Sequence, residues 1–171
     1  MTEDTFRRVL ILGNSGSGKS TLAKSISESS GLAHLDLDVV AWLPSNPPKL
    51  KSLDDCTEEI RQFMSSHEKW VIEGCYANLI EIAAGNATEM IFLNLPIGEC
   101  VSNARVREWE PHKYKTKEAQ DENLPFLVDW IRTYSERDDE CSFQSHLELF
   151  ERFARKKTMR TTGCNSEQYA E

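Results

Sequence analysis

The sequence predicts an α/β fold: a five-stranded parallel sheet with helices on both faces and a helical, lid-like region in its second half. Three observations predict it. Short apolar runs such as Val9–Leu12, Trp70–Ile72 and Met90–Leu95 alternate with stretches whose apolar residues recur every 3.6 positions. The turn after the first run is rich in glycine and opens straight into a helix. Acidic residues (Asp36, Asp38 and Glu73) fall where later strands should end, and sheets of this kind bind ligands beyond the carboxyl ends of their strands.

Arg8 to Leu12 reads as a short buried strand. A helix over 19–30 follows, and Gly31 suits its C-terminal stop. Leu32 to Leu37 is the second strand. Pro44, Pro47 and Pro48 make 43–51 a loop without regular structure. Ser52 and Asp55 form a helix-start signature, and behind them Leu53, Cys56, Ile60, Phe63, Met64 and His67 share one face. The strand at 70–72 ends at Glu73-Gly74, a short helix runs from about 78 to 84, and a fourth strand spans 90–95. Pro96 suits the first turn of a helix striped by Ile97, Cys100, Val101 and Ala104. The polar segment 108–123 carries Lys113, Lys115 and Lys117 and reads as a mobile, lid-like surface piece; its lysines either close over phosphates or sit solvated. Two helices follow, one marked by Leu124, Leu127, Val128 and Ile131, the other by Phe143, Leu147, Phe150 and Ala154. Residues 157–162 complete the sheet, and 163–171 is a loose tail.

A chain of 171 residues fits one domain with a sizeable core. Its net charge of −8 argues against nucleic acid and anionic membrane as partners, though not against a local basic pocket. No apolar run approaches the roughly 18 residues of a membrane span, and the start MTEDTFRR lacks the pattern of a signal peptide. The five cysteines form no C-x-x-C pair and read as reduced thiols, which places the protein in the cytoplasm.

The most specific stretch is GNSGSGKST, comprising Gly13, Asn14, Ser15, Gly16, Ser17, Gly18, Lys19, Ser20 and Thr21. It fits G-x-x-x-x-G-K-[ST]. Its glycines let successive N–H groups point inward as an anion nest, and the helix that follows adds its positive end. Lys19 can reach the outer phosphates, and the Ser20 hydroxyl can take a Mg²⁺ position. These features together point to a nucleoside triphosphate with its metal. An N-K-x-D guanine motif is absent.

With this motif, LDLDVVAW at 35–42, WVIEGCY at 70–76 and IFLNLP at 91–96 followed by Cys100 and Arg107, the chain resembles the nucleoside-monophosphate-kinase-like group of P-loop kinases: adenylate, shikimate and gluconate kinases and the topology-modulation proteins. The resemblance covers about residues 7–110 and is specific only at the phosphate loop. It implies a three-layer P-loop NTPase fold with sheet order 2-3-1-4-5, and ATP and Mg²⁺ as cofactors. Asp36 and Asp38 match a D-x-D pair that faces metal and acceptor; on a strand both side chains would point the same way. Asp36 and Glu73, with Ser20, would then serve the metal, and Asp38 the acceptor. The bland alternatives are a helix cap for either aspartate and a surface ion pair for Glu73. Arg107 matches an arginine that begins the lid and meets transferring phosphate; Arg105, Arg132 and Arg137 are alternates. Asn94 replaces an expected aspartate and stays outside the site. Trp42, Tyr76 and Trp109 can stack on a base or sugar or belong to the core, with Trp42 the preferred substrate contact.

The expected function is ATP-dependent phosphoryl transfer to a small hydroxyl- or phosphate-bearing metabolite, with Lys19, Asp38 and Arg107 as catalytic groups. The lack of an arginine between 39 and 60 favours a neutral, hydroxyl-rich acceptor. A regulatory protein that binds nucleotide without efficient transfer is the alternative.

Overall fold

In the first strand, β1 (Arg8–Gly13), Val9, Leu10, Ile11 and Leu12 are all shielded from water. A strand buried on both faces is what a continuous apolar run between two helical layers produces. The computed structural model describes residues 6–43, 45 and 48–163. After β1 come α1 (Lys19–Ser30), β2 (Ala33–Asp36), α2 (Leu37–Ala41), β3 (Trp42–Leu43), β4 (Lys49–Leu50) and α3 (Leu53–Ser66). Next are β5 (Trp70–Gly74), α4 (Ala77–Ala84), β6 (Glu89–Leu93), α5 (Ile97–Arg105), α6 (Lys117–Arg132), α7 (Phe143–Arg152) and β7 (Lys156–Arg160).

The main sheet is all parallel, in the order β2-β5-β1-β6-β7. Counting only its own strands, that is the expected 2-3-1-4-5. Alternation along each strand divides the core in two. Leu10, Leu12, Ile72, Met90 and Phe92 face one layer, built from α2, α3, α4 and α7 through Leu37, Ile60, Ile80 and Leu149. Val9, Ile11, Val71, Ile91 and Leu93 face the other, built from α1, α5 and α6 through Leu22, Ile26, Val101, Val128 and Ile131.

Several boundaries differ from the sequence reading. Residues 42–50 are not simply a loop: Trp42 and Leu43 pair antiparallel with Leu50 and Lys49. Pro48 lies outside this short ladder, so its missing N–H costs no bond; the expectations at Pro44 and Pro47 and for the tail past Gly163 fall outside the described residues. The helix expected from Leu124 begins seven residues earlier, at Lys117. Thr116 caps it by accepting from the Ala119 N–H at 3.1 Å, and Pro125 sits within it. The polarity of 117–123 is thus that of an exposed helical face. The Ser52 cap behaves as expected, accepting from the Asp55 N–H at 3.1 Å.

Candidate active site

At the carboxyl ends of β1 and β5 the chain opens a cleft of about 820 Å³, lined by Ser15–Thr21, Asp38, Glu73, Cys75 and the segment Val106–Lys113. The glycine-rich loop forms its floor. Gly13 closes β1 against Leu93, and the buried Asn14 amide donates to the Ile131 carbonyl at 3.1 Å. These two residues anchor the loop and do not line the cleft; the remaining loop residues do. Gly16 and Gly18 have φ of +77° and +88°, and Gly18 is the cap from which α1 starts. Asn103 on α5 donates to the Gly16 carbonyl at 2.9 Å, and the Ser17 N–H closes the loop on the Asn14 carbonyl at 3.2 Å. Ser17 is 4% exposed and its hydroxyl has no partner among the described residues. An unsatisfied buried donor within a nest of amides is what a phosphate oxygen would complete. Lys19 reaches back along the loop, its Nζ donating to the Asn14 carbonyl at 2.8 Å.

Ser20 Oγ donates to Glu73 Oε1 at 2.7 Å. Glu73 is almost wholly buried at the end of β5, and His34 Nε2 lies 3.5 Å from the same oxygen. A hydroxyl and a carboxylate meeting beside an anion nest suit a hard divalent cation with its waters. The residues present therefore fit Mg²⁺ bound with a polyphosphate.

The two aspartates do meet near the cleft, but not as strand neighbours. β2 ends at Asp36, and α2 begins at Leu37. Asp36 caps α2, its Oδ1 accepting from the Asp38 N–H at 2.9 Å, and Asp38 lies in the first helical turn. Capping wins because an aspartate before a helix satisfies an otherwise unpaired amide. The expected shared strand face is thus replaced by a helix start, with both carboxylates near Lys113. Lys113 Nζ is 2.7 Å from Asp38 Oδ2, 3.7 Å from Asp36 Oδ2 and 3.2 Å from Glu110 Oε1. His112 Nε2 stands 3.6 Å from Asp36.

Electrostatics separates the pair. Burial pushes Asp36 above the usual carboxylate range; Glu73 and Asp38 add to this, against Lys113. Burial acts on Asp38 too, but the adjacent Lys113 ammonium, with Lys19 and the Tyr76 hydroxyl, holds it below that range. Lys113 is raised in turn, its burial outweighed by the two aspartates. Tyr76 Oη donates to Asp38 Oδ1 at 3.0 Å and accepts from Trp42 Nε1 at 2.9 Å. Trp42 is 40% exposed and outside the cleft lining, and is linked to Asp38 through Tyr76.

Segment 106–113 forms one wall of the cleft. Trp109 Nε1 donates to the Tyr114 carbonyl at 3.1 Å, and the Gln120 side chain both accepts from the Glu110 N–H at 2.8 Å and donates to the Glu108 carbonyl at 3.0 Å. What reads as a mobile piece is stitched to α6. Arg107 lines the cleft and pairs with Glu110 at 3.2 Å. Arg105 is exposed, Arg132 pairs with Asp129 at 3.5 Å, and Arg137 stacks on Trp130, so none of these alternates lines the cleft.

Sequence reasoning missed His146. It sits fully buried on α7, with Nε2 2.6 Å from the Cys75 carbonyl and Nδ1 2.7 Å from Tyr134 Oη. A carbonyl only accepts, so Nε2 carries the proton and Nδ1 accepts from the tyrosine. The ring thereby pins the strand end that carries Glu73. Its place beside Leu147 on the Phe143–Phe150 stripe was the available signal. Burial, with the Lys19 and Arg137 charges and against the Cys75 bond, pushes its pKa down to about 4. An unfolded histidine titrates near 6.5, so between these values the unfolded chain binds the extra proton. Stability is therefore full above about pH 6.5 and falls towards pH 4, by up to ~3 kcal/mol. Urea midpoints of the wild type should drop between pH 7 and 5, and His146→Gln should flatten that drop. An equal drop in the variant would remove His146 as the cause.

No protein-family model matches the sequence, and no curated protein matches it. Among solved structures the chain is similar to an unliganded sugar kinase from Janibacter sp. HTCC2649, at 14% identity and TM-score 0.51, covering 91% of this chain and 84% of that one. It is also similar to a shikimate kinase from Acinetobacter baumannii in complex with shikimate, at 12% identity and TM-score 0.51, covering 94% and 87%. What these similarities share with the sheet order and the glycine-rich loop is an architecture: the chain has the fold of the P-loop small-molecule kinases.

Proposed function

We propose that the protein is a cytoplasmic kinase that uses ATP and Mg²⁺ to phosphorylate a small hydroxyl- or phosphate-bearing metabolite. The observation that supports this best is a convergence: the Ser20–Glu73 pair, at 2.7 Å, and the Asp38 carboxylate border the same cleft as the phosphate loop. In this reading the loop amides of Ser15–Thr21 and the Lys19 ammonium hold the triphosphate. Ser20 and Glu73 hold the metal, with Asp36 orienting its water shell. Mg²⁺ would supply charge neutralisation on the outer phosphates. Asp38, ionised and aimed by Tyr76, orients the acceptor hydroxyl and accepts its proton; Trp42 holds that tyrosine from outside the cleft. Arg107 offsets charge that develops on the transferring group. Phosphoryl transfer asks chiefly for positioning and charge of this kind.

The experiment is ADP release with Mg·ATP against a panel of nucleosides, nucleoside monophosphates, shikimate and gluconate. Acceptor-dependent turnover that Lys19→Ala lowers by at least about a hundredfold is expected. Nucleotide binding without stimulation by any acceptor would instead make the protein a nucleotide-dependent regulator. Equal turnover with water alone would make it an NTPase.

A further inference from the structure

Asp38 is the group that receives the acceptor's proton in the proposed transfer, yet both of its oxygens already have a donor. Oδ1 accepts from Tyr76 Oη at 3.0 Å, and Oδ2 lies 2.7 Å from Lys113 Nζ. Trp42, outside the cleft lining, donates to the same Tyr76 oxygen at 2.9 Å and fixes it. Of the two donors, Lys113 lines the cleft and Tyr76 does not. A hydroxyl that approaches Asp38 from the cleft therefore meets the lysine.

Lys113 is carried on a braced segment. Its N–H donates to the Glu110 carbonyl at 2.9 Å, the Glu110 N–H donates to Gln120 of α6 at 2.8 Å, and Trp109 is tied to the Tyr114 carbonyl at 3.1 Å. The backbone is held, while the ammonium sits at the end of a flexible four-carbon stem. Other carboxylates stand within its reach: Glu110 Oε1 at 3.2 Å and Asp36 Oδ2 at 3.7 Å. Leaving Asp38 thus does not strand the charge without a partner.

We propose that Lys113 is an acceptor gate, a specificity-determining residue for the transfer. In this structure its ammonium holds Asp38 Oδ2. An acceptor whose remaining groups bind the cleft supplies the free energy to shift the ammonium onto Glu110 and Asp36, and its hydroxyl takes the vacated oxygen. Water has no further groups with which to offset the loss of a charge-assisted bond. In hydrolysis the water oxygen would bond to the terminal phosphorus, the bond from that phosphorus to the ADP oxygen would break, and a water proton would pass to Asp38. The lysine withholds Asp38 from that last transfer. The gate rests on the kinase reading above and adds to it the choice of nucleophile.

The test has two arms, both on the full-length protein. Brief acylation with acetic anhydride in the absence of nucleotide, read by peptide mapping, should label Lys113 severalfold more slowly than the exposed Lys115 and Lys117. Equal labelling would overturn the gate without reference to turnover. ADP release from Mg·ATP without acceptor is then compared in the wild type, in Lys113→Met, and in Lys113→Met combined with Asp38→Asn, with melting curves and calorimetric affinities alongside. Lys113→Met keeps the length of the stem and removes its charge. It should hydrolyse about 10–100-fold faster, a part of what a positioned base contributes. The double variant should return to the wild-type rate, because the gain acts through Asp38; a merely structural lysine would show no such dependence. Lys113→Gln gives the same comparison if Lys113→Met does not fold. Nucleotide binding with no rise in hydrolysis, or a double variant as fast as the single one, would overturn the gate alone. No heat of binding with Mg·ATP would instead overturn the kinase reading and the gate that depends on it.

Discussion

Gly16→Ala is expected to lower the melting temperature by about 10 °C and to abolish binding of Mg·ATP. A Cβ at Gly16 would lie 2.2 Å from the Cys100 carbonyl oxygen and 2.9 Å from its carbon. Both are backbone atoms of α5, fixed by the helix and by the buried Cys100 side chain, and have no rotamer to yield. The residue also stands at φ +77°, where a side chain costs on the order of 1–3 kcal/mol, and the overlap adds about 1–3 kcal/mol more. In a protein of this size each kcal/mol moves the melting temperature by roughly 2–4 °C. Gly18→Ala is the internal control. Its φ is +88°, but nothing lies within 4 Å of the added Cβ, so only the backbone term applies. Thermal melts and calorimetric titration of both variants check this. If Gly16→Ala melted no lower than Gly18→Ala, the close approach of the loop to α5 would not constrain the site.

Asp38→Asn should reduce acceptor-dependent turnover by about 10²–10⁴-fold, the usual contribution of a positioned acid–base group, and leave the affinity for Mg·ATP unchanged. The amide keeps the shape of the side chain but cannot accept a proton. Lys113 retains Asp36 and Glu110 as partners at 3.7 and 3.2 Å, so the covering segment stays in place. Tyr76→Phe probes the same group from the other side. It removes the 3.0 Å bond that aims Asp38 and should lower kcat by a smaller factor with KM for nucleotide intact. Steady-state kinetics with a responsive acceptor separate these outcomes. Wild-type kcat in Asp38→Asn would mean that another group receives the acceptor's proton.

The two aspartates show how far local reading carries. Their proximity to the loop follows from their place at the end of the second strand, and Asp38 does line the cleft. Their geometry did not follow, because a five-residue helix with an aspartate cap has too few turns to show a period. The sequence around Lys113 fits both closing over phosphates and sitting in solvent. Its neighbours in sequence are polar in either case; only the far-off partners Asp36 and Asp38 distinguish them. His146 reads as one histidine among four until the fold sets it between Tyr134 and Cys75.

By itself the sequence determined the alternation of strands and helices, the glycine-rich loop and the sheet edge at which the cleft opens. Each of these depends on residues a few positions apart, where periodicity, capping and backbone freedom act directly. Only the tertiary structure decided that Ser20 meets Glu73, that Lys113 lies among three carboxylates, and that His146 bridges Tyr134 and the Cys75 carbonyl. Those contacts join distant segments, and their energies arise from burial and charge that exist only once the sheet has brought the segments together.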